Sequence, residues 1–210
     1  MNKTQVVNVY NEPYDVCIMR PGRWQNQYRI GIDGTREEVI LKHRKEMLYN
    51  IRYNDEYLRS LLFLRGEKLG CCKPKACHGD NYVDILNAKV IGIVGSRRRF
   101  NQNDFNKVKD KFFSIYKQGD IIVSGGCPTG GDKFAEDIAD DYNIPIMIFR
   151  AKWKQYGRIA GFIRNTDVAK ESWELIACVA NDRTGGTEDT IEKFCKNKTE
   201  KEIESLLHLV

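Results

Sequence analysis

Residues 89–100, KVIGIVGSRRRF, and residues 120–136, DIIVSGGCPTGGDKFAE, decide the fold of this chain. Val90, Ile91, Ile93 and Val94 form a β-branched apolar run that ends at Gly95-Ser96-Arg97. Ile121, Ile122 and Val123 form a second, ending at Ser124-Gly125-Gly126. Strands apolar on both faces are those of a parallel sheet covered by helices on each side. A glycine turn between such a strand and a helix lets backbone N–H groups approach an anion, with the positive end of the helix dipole facing it. The two turns therefore predict a phosphate-binding edge.

Outward from this stretch the βα alternation continues. Strands are predicted at about 90–95, 120–124, 145–149 and 174–180, and helices at about 103–117, 130–142, 158–171 and 187–206. This is the pattern of a doubly wound parallel α/β sheet with right-handed crossovers. The expected organisation is a small α/β domain over residues 1–87 and a Rossmann-like domain over 88–210. In the first, Gln5–Val9 and Tyr14–Met19 read as short strands. Thr35 with Glu38 forms a capping box opening a helix that presents Val39, Ile40, His43, Met47 and Leu48, and a second helix begins near Asn54-Asp55 and stops at Gly66.

Composition narrows the function classes. The 210 residues are 41% hydrophobic and 30% charged, with a formal net charge of +5. That balance suits a small anionic ligand and falls short of the basic footprint of a dedicated DNA binder. No apolar run reaches the length of a membrane span, and MNKTQVVNVYNEPYD has no secretory h-region, so the expected address is the cytoplasm. Seven cysteines, an odd number without a signal sequence, read as reduced thiols. Arg97-Arg98-Arg99 is the local basic cluster, read either as a solvated loop or as facing phosphate.

Four ordered motifs carry a resemblance: Gly95-Ser96-Arg97; Ser124-Gly125-Gly126 with Thr129-Gly130-Gly131-Asp132; Trp153-Lys154-Gln155-Tyr156-Gly157 with Gly161 and Arg164-Asn165; and Thr184-Gly185-Gly186-Thr187-Glu188. Over about residues 89–195 they resemble the SLOG superfamily, most closely its YspA/YpsA-like branch. The resemblance implies a nucleotide, nucleoside monophosphate, cyclic nucleotide or ADP-ribose-type ligand, no cofactor, and self-association into a homo-oligomer. It implies Gly95, Ser96 and Arg97 as the first wall, and Ser124, Gly125, Gly126 and Asp132 as the second. Arg164 and Asn165 would reach phosphate or ribose, and Gly185, Gly186, Thr187 and Glu188 would hold the last part of the ligand. Gly131 replaces the usual alanine, and Asn181-Asp182-Arg183 lacks the glycine that usually precedes the last motif.

Catalysis is the second expectation. Hydrolases of the Lonely Guy branch cleave the N-glycosidic bond of nucleoside monophosphates with a PGGxGTxxE motif and an arginine, and oxocarbenium chemistry needs a carboxylate near the anomeric carbon. Glu188 and Glu192 are the available carboxylates, with Arg164 beside them in role, but their spacing from the glycines departs from that motif. The leading expectation is thus a nucleotide-binding protein, and the family resemblances imply that it senses or sequesters a signalling nucleotide in phage–bacterium conflict. Single-stranded DNA binding is the remaining alternative, predicting a steep salt dependence.

The N-terminal half contains Cys71-Cys72-Lys73-Pro74-Lys75-Ala76-Cys77-His78-Gly79-Asp80. Together with Val7-Asn8 and Arg20-Pro21-Gly22 it resembles a family of small domains of phage and bacterial genomes with an LxCWCxPxxCHGD closing motif, here without the aromatic residue. Three readings stand side by side: a zinc site, which the adjacent Cys-Cys and Cys-His pairs fit poorly; a Cys77 nucleophile activated at a helix start; and a packed turn with His78 as a capping group. No metal is expected. Arg20, Cys72, Cys77, His78 and Asp80 form a possible second anion site, with Arg23 and Arg29 closing over it.

Overall fold

A computed structural model describes residues 2–72 and 76–210. The chain divides into two compact units, Met1–Ala88 and Lys89–Val210. Both are mixed α/β with parallel sheets.

In the first unit β1 (Gln5–Asn8) and β2 (Val16–Cys17) flank β3 (Lys68–Cys71), each parallel to it. The expected second strand shrinks to two residues because only Val16 and Cys17 align with Leu69 and Gly70. α1 (Arg36–Tyr53) starts at the predicted capping box: the Thr35 hydroxyl accepts from the Glu38 N–H, and the Glu38 carboxylate accepts from the Thr35 N–H at 2.7 Å. Val39, His43, Met47 and Ile51 form its buried stripe at four-residue spacing, while Ile40 and Leu48 are only half-buried. α2 (Asp55–Leu62), capped by the Asn54 side chain, buries Leu58 and Leu61. α3 (Gly79–Leu86) closes the unit and buries Tyr82, Ile85 and Leu86.

The second unit is a five-stranded, wholly parallel sheet. Its strands are β4 (Val90–Gly95), β5 (Ile121–Ser124), β6 (Ile146–Ile148), β7 (Glu174–Cys178) and β8 (Leu207–Leu209), in the order β6-β5-β4-β7-β8. The chain leaves β4 in one direction through β5 and β6, then returns to its other side at β7. The reversal creates a switch point beside the carboxyl end of β4, where such sheets bind ligands. The helices are α4 (Gln102–Ile115), α5 (Gly131–Tyr142), a four-residue α6 (Trp153–Tyr156), α7 (Ala160–Glu171), α8 (Gly186–Cys195) and α9 (Glu200–Leu206). Ile91, Ile93, Phe112, Ile122, Phe134, Ile138 and Ile176 meet in its core.

Two expected helices differ. The predicted helix 158–171 is preceded by α6 and a 3-10 turn at Gly157–Ile159, and Trp153 and Tyr156 are exposed on α6. The predicted helix 187–206 is interrupted: Thr199 and Glu202 form a second capping box that starts α9 afresh, and the chain then adds β8 to the sheet edge. His208 Nε2 lies 3.0 Å from the Glu174 carboxylate, tying β8 to β7. Among the described residues no helix is long and apolar enough to cross a membrane.

Candidate functional site

The carboxyl ends of β4, β5 and β7 open onto a cavity of about 280 Å³. It is lined by Gly95, Ser96, Arg97, Gly125, Asp132, Arg164, Asn165, Gly185, Gly186 and Thr187, so all four motifs contribute. Three predicted residues lie off it. Ser124 is fully buried and donates its hydroxyl to the Ile93 carbonyl at 3.0 Å. Gly126 lines an adjoining cavity of about 650 Å³ instead. Glu188 forms a two-point ion pair with Arg183, at 2.6 and 2.9 Å.

Close backbone packing builds the first wall. A Cβ on Gly131 would sit 2.4 Å from the Val94 carbonyl oxygen and 2.4 Å from the Gly95 nitrogen. Only glycine lets the start of α5 rest on the end of β4. This explains why even alanine is absent there.

Side chains then staple the loops together. Arg164 Nη1 donates to the Gly125 carbonyl and, at 3.2 Å, to Asp132; its Nε donates to Asn165 Oδ1 at 2.9 Å. Asn165 in turn donates to the Gly186 carbonyl at 3.0 Å and to Asp189 at 2.9 Å. The Arg164-Asn165 pair therefore joins the β5 loop to the start of α8, and Arg164 is a positioning residue here. Asp132 is deeply buried and also accepts from the Cys127 N–H at 3.0 Å. Burial pushes its carboxyl up, with Arg164 and the Cys127 N–H opposing.

The three consecutive arginines take separate tasks. Arg99 turns inward to Asp104 and the Val179 carbonyl, each at 2.7 Å. Arg98 reaches across to both Asp182 oxygens at 2.7 Å and to Thr184 at 3.1 Å, holding the fourth loop. Arg97 lines both cavities, and its guanidinium has no hydrogen bond or ion pair among the described residues. Arg183 adopts a left-handed backbone, φ 51°, which supplies the turn that the missing glycine would have made. Beyond it, Gly185 (φ 98°) precedes α8 without a side-chain cap, so the first-turn N–H groups of α8 have no helical partner and border the cavity. Sequence reading assigned no wall role to Val94, Cys127, Val168 or Thr190, and it named Arg98 and Thr184 only within the arginine run and the fourth motif; all six line the cavity. The short spacing of Thr184 and Thr190 from Gly185-Gly186 is the signal that points to those two.

The first unit has its own cavity, of about 590 Å³, lined by Arg20, Arg29, Arg36, Cys71, Cys72, Cys77 and His78 among others. Of the predicted second anion site, Arg20 is committed to the Asn26 and Tyr28 carbonyls and so organises its own loop. Arg23 donates to Ser60 at 2.8 Å and does not line this cavity. Asp80 accepts from the Cys77 N–H at 2.9 Å and caps the turn. Cys72 is exposed, while Cys77 and His78 are buried. The neighbouring Cys77 thiol, together with burial, pushes the Cys71 thiol up, away from thiolate character. Lys73, Pro74 and Lys75, part of the predicted motif, lie outside the described residues.

Behind this cavity a polar relay runs through the core. The Asn81 amide donates to His43 Nδ1 (3.1 Å), His43 Nε2 meets the Tyr82 hydroxyl (3.0 Å), and that hydroxyl donates to the Trp24 carbonyl (3.2 Å). This arrangement uses neutral His43, and burial followed by the neighbouring His78 lowers its pKa to about 3. Between about pH 6.5 and 3 the unfolded chain binds the proton and the folded chain does not, so stability falls as pH falls through this window. A loss of roughly 2 kcal/mol from His43 alone is expected by pH 5. Urea unfolding at pH 7 and pH 5 checks it, and His43→Gln should flatten the dependence.

A family model described as a domain of unknown function (DUF4326) matches residues 1–88. The uncharacterized 12.4 kDa protein of the nrdA-td intergenic region of Enterobacteria phage T4 is 41% identical over 85 residues, which is 40% of this chain and 77% of that protein. No solved structure matches.

Proposed function

The chain belongs, through its residues 1–88, to the DUF4326 family, and for the whole chain we propose that the C-terminal unit binds a phosphate-bearing, nucleotide-derived ligand. The observation that carries this reading is the unpartnered Arg97 guanidinium beside the uncapped start of α8. A charged donor and free backbone N–H groups facing one cavity suit an anion, which both the fork geometry and the helix dipole favour. The two adjoining cavities share Arg97, Gly125, Cys127 and Arg164, and the larger one is also lined by the exposed Trp153. This supports a ligand of two parts, with phosphate and ribose at α8 and a base against Trp153. The SLOG-like reading of the four motifs, and with it an ADP-ribose-type or cyclic nucleotide ligand, belongs to the same proposal.

Binding is favoured over cleavage. Glu188 is held by Arg183 and is not among the lining residues, Glu192 is exposed on α8, and Asp132, the acidic residue of the lining, is paired with Arg164. An unengaged carboxylate for oxocarbenium chemistry is not among the lining residues. Capture of a signalling nucleotide in the cytoplasm, in phage–bacterium conflict, completes the proposal; the phage origin of the uncharacterized T4 relative is compatible with that setting. Self-association of the chain is part of the proposal.

Thermal denaturation with AMP, NAD, ADP-ribose and cyclic nucleotides tests the ligand class: one of these raises the midpoint with concentration. No response to any of them refutes it. Arg97→Ala is expected to weaken that ligand about 10- to 100-fold, the loss of a charge-assisted contact, and to leave the unliganded midpoint unchanged.

A further inference from the structure

We propose that Cys71, Cys77 and His78 form a zinc site in the N-terminal unit, with its fourth coordination position open to the cavity they line. One sulfur from each cysteine and one nitrogen of His78 lie within 4.8 Å of one another, and all three residues are buried. Sulfurs and nitrogen about 2.0–2.3 Å from a shared zinc ion lie roughly 3.5–4 Å apart, so the cluster needs only a small contraction to close on the metal.

The sequence argument against zinc was the adjacency of Cys71 to Cys72 and of Cys77 to His78. The fold removes the first difficulty. Cys71 ends β3 and faces inward, whereas Cys72 is exposed, so one member of that pair joins the cluster. Cys77 and His78 stand at the turn into α3, where Gly79 allows close approach: a Cβ there would lie 2.7 Å from both Val6 and Ile18 side-chain atoms. The helix start is thereby pressed onto the sheet that carries Cys71.

His78 is held as metal-binding histidines are. Its Nε2 lies 3.1 Å from the carbonyl oxygens of Ile18 and Trp24, which makes Nε2 the protonated nitrogen and leaves the lone pair at Nδ1. Charge also balances. On binding, each thiol gives up its proton to solvent and forms a Zn–S bond, so two thiolates neutralise the divalent ion and the buried group carries no net charge. Two thiolates and an imidazole select zinc over the hard cations. Three protein ligands beside a cavity of about 590 Å³ leave the last position for water or an incoming ligand. Arg29 and Arg36 line the same cavity, so an anionic donor is the class of ligand that fits the fourth position.

Cobalt is the probe. The full-length chain, stripped of metal under reducing conditions, should bind one Co²⁺ with an intense thiolate-to-metal absorption in the near ultraviolet and the visible bands of a four-coordinate ion. Zn²⁺ should displace it stoichiometrically. Cys77→Ser and Cys71→Ser are expected to abolish the thiolate band, while Cys72→Ser retains it at the same stoichiometry. A wild-type spectrum without the thiolate band, or a band that persists in a folded variant with Cys71 and Cys77 both replaced, overturns the proposal, and the wild-type reading requires no variant at all.

Discussion

Gly131→Ala is expected to cost the C-terminal unit about 3 kcal/mol or more, at the top of the overpacking range. The added methyl would meet the Val94 carbonyl oxygen and the Gly95 nitrogen at 2.4 Å each, and both are backbone atoms of the central strand. A crowded side chain can change rotamer; the backbone of β4 is held by β5 on one side and β7 on the other. Relief must come from lifting α5 off the sheet, which also opens the first wall of the cavity. Domains are stable by only about 5–15 kcal/mol, so this loss is large. Gly186→Ala is the matching control. There the nearest heavy atom to a new Cβ is the Asn165 amide nitrogen at 3.6 Å, and the position lies in the first turn of α8. It should leave stability unchanged or raise it slightly, as alanine is the better helix former. Urea unfolding followed by far-ultraviolet dichroism separates the two, and equal stabilities for both variants would contradict the packing account.

Arg164→Ala is expected to destabilise the same unit by about 3–5 kcal/mol, the range for stripping one partner from a buried ion pair. Asp132 would keep the Cys127 N–H but lose its counter-charge while its side chain stays only 8% exposed. The Gly125 carbonyl and Asn165 lose their donor at the same time. The sign of the pH dependence follows. Burial already raises the Asp132 carboxyl, and losing Arg164 raises it further. Stability is then fully present below the unfolded carboxylate range and is lost as pH rises through the folded pKa. The variant should therefore be weaker at pH 8 than at pH 5 relative to wild type. Asp132→Asn in the Arg164→Ala background should recover part of the loss, because it removes the uncompensated charge. A double variant no better than Arg164→Ala alone would contradict this assignment.

The second unit was legible where local chemistry decides structure. Ile91, Ile93, Ile122 and Val123 are apolar on both faces because the sheet is covered on both sides, and the glycines that follow mark the strand ends. Thr35–Glu38 announces a helix by residues three apart. Thr199–Glu202 carried the same signal, but the apolar periodicity of residues 187–206 ran across it, and the edge strand β8 was hidden because three residues are too few to show alternation. What stayed out of reach depends on pairs far apart in the chain. Arg98 meets Asp182 across 84 residues, and that contact decides which of three arginines stays available to an anion. Likewise the adjacent pairs Cys71-Cys72 and Cys77-His78 argue against one tetrahedron in a string, whereas the fold gathers one sulfur each from Cys71 and Cys77 beside His78. Glu188 was placed at a ligand by its neighbours in sequence, and the left-handed Arg183 reclaims it.

Calorimetric titration of the full chain with the nucleotide that most raises its thermal midpoint tests the central claim most directly. The account predicts saturable binding to the C-terminal unit, about 10- to 100-fold weaker in Arg97→Ala and unaltered in Cys77→Ser. Equal affinity of wild type and Arg97→Ala, or no saturable binding to wild type, would contradict it.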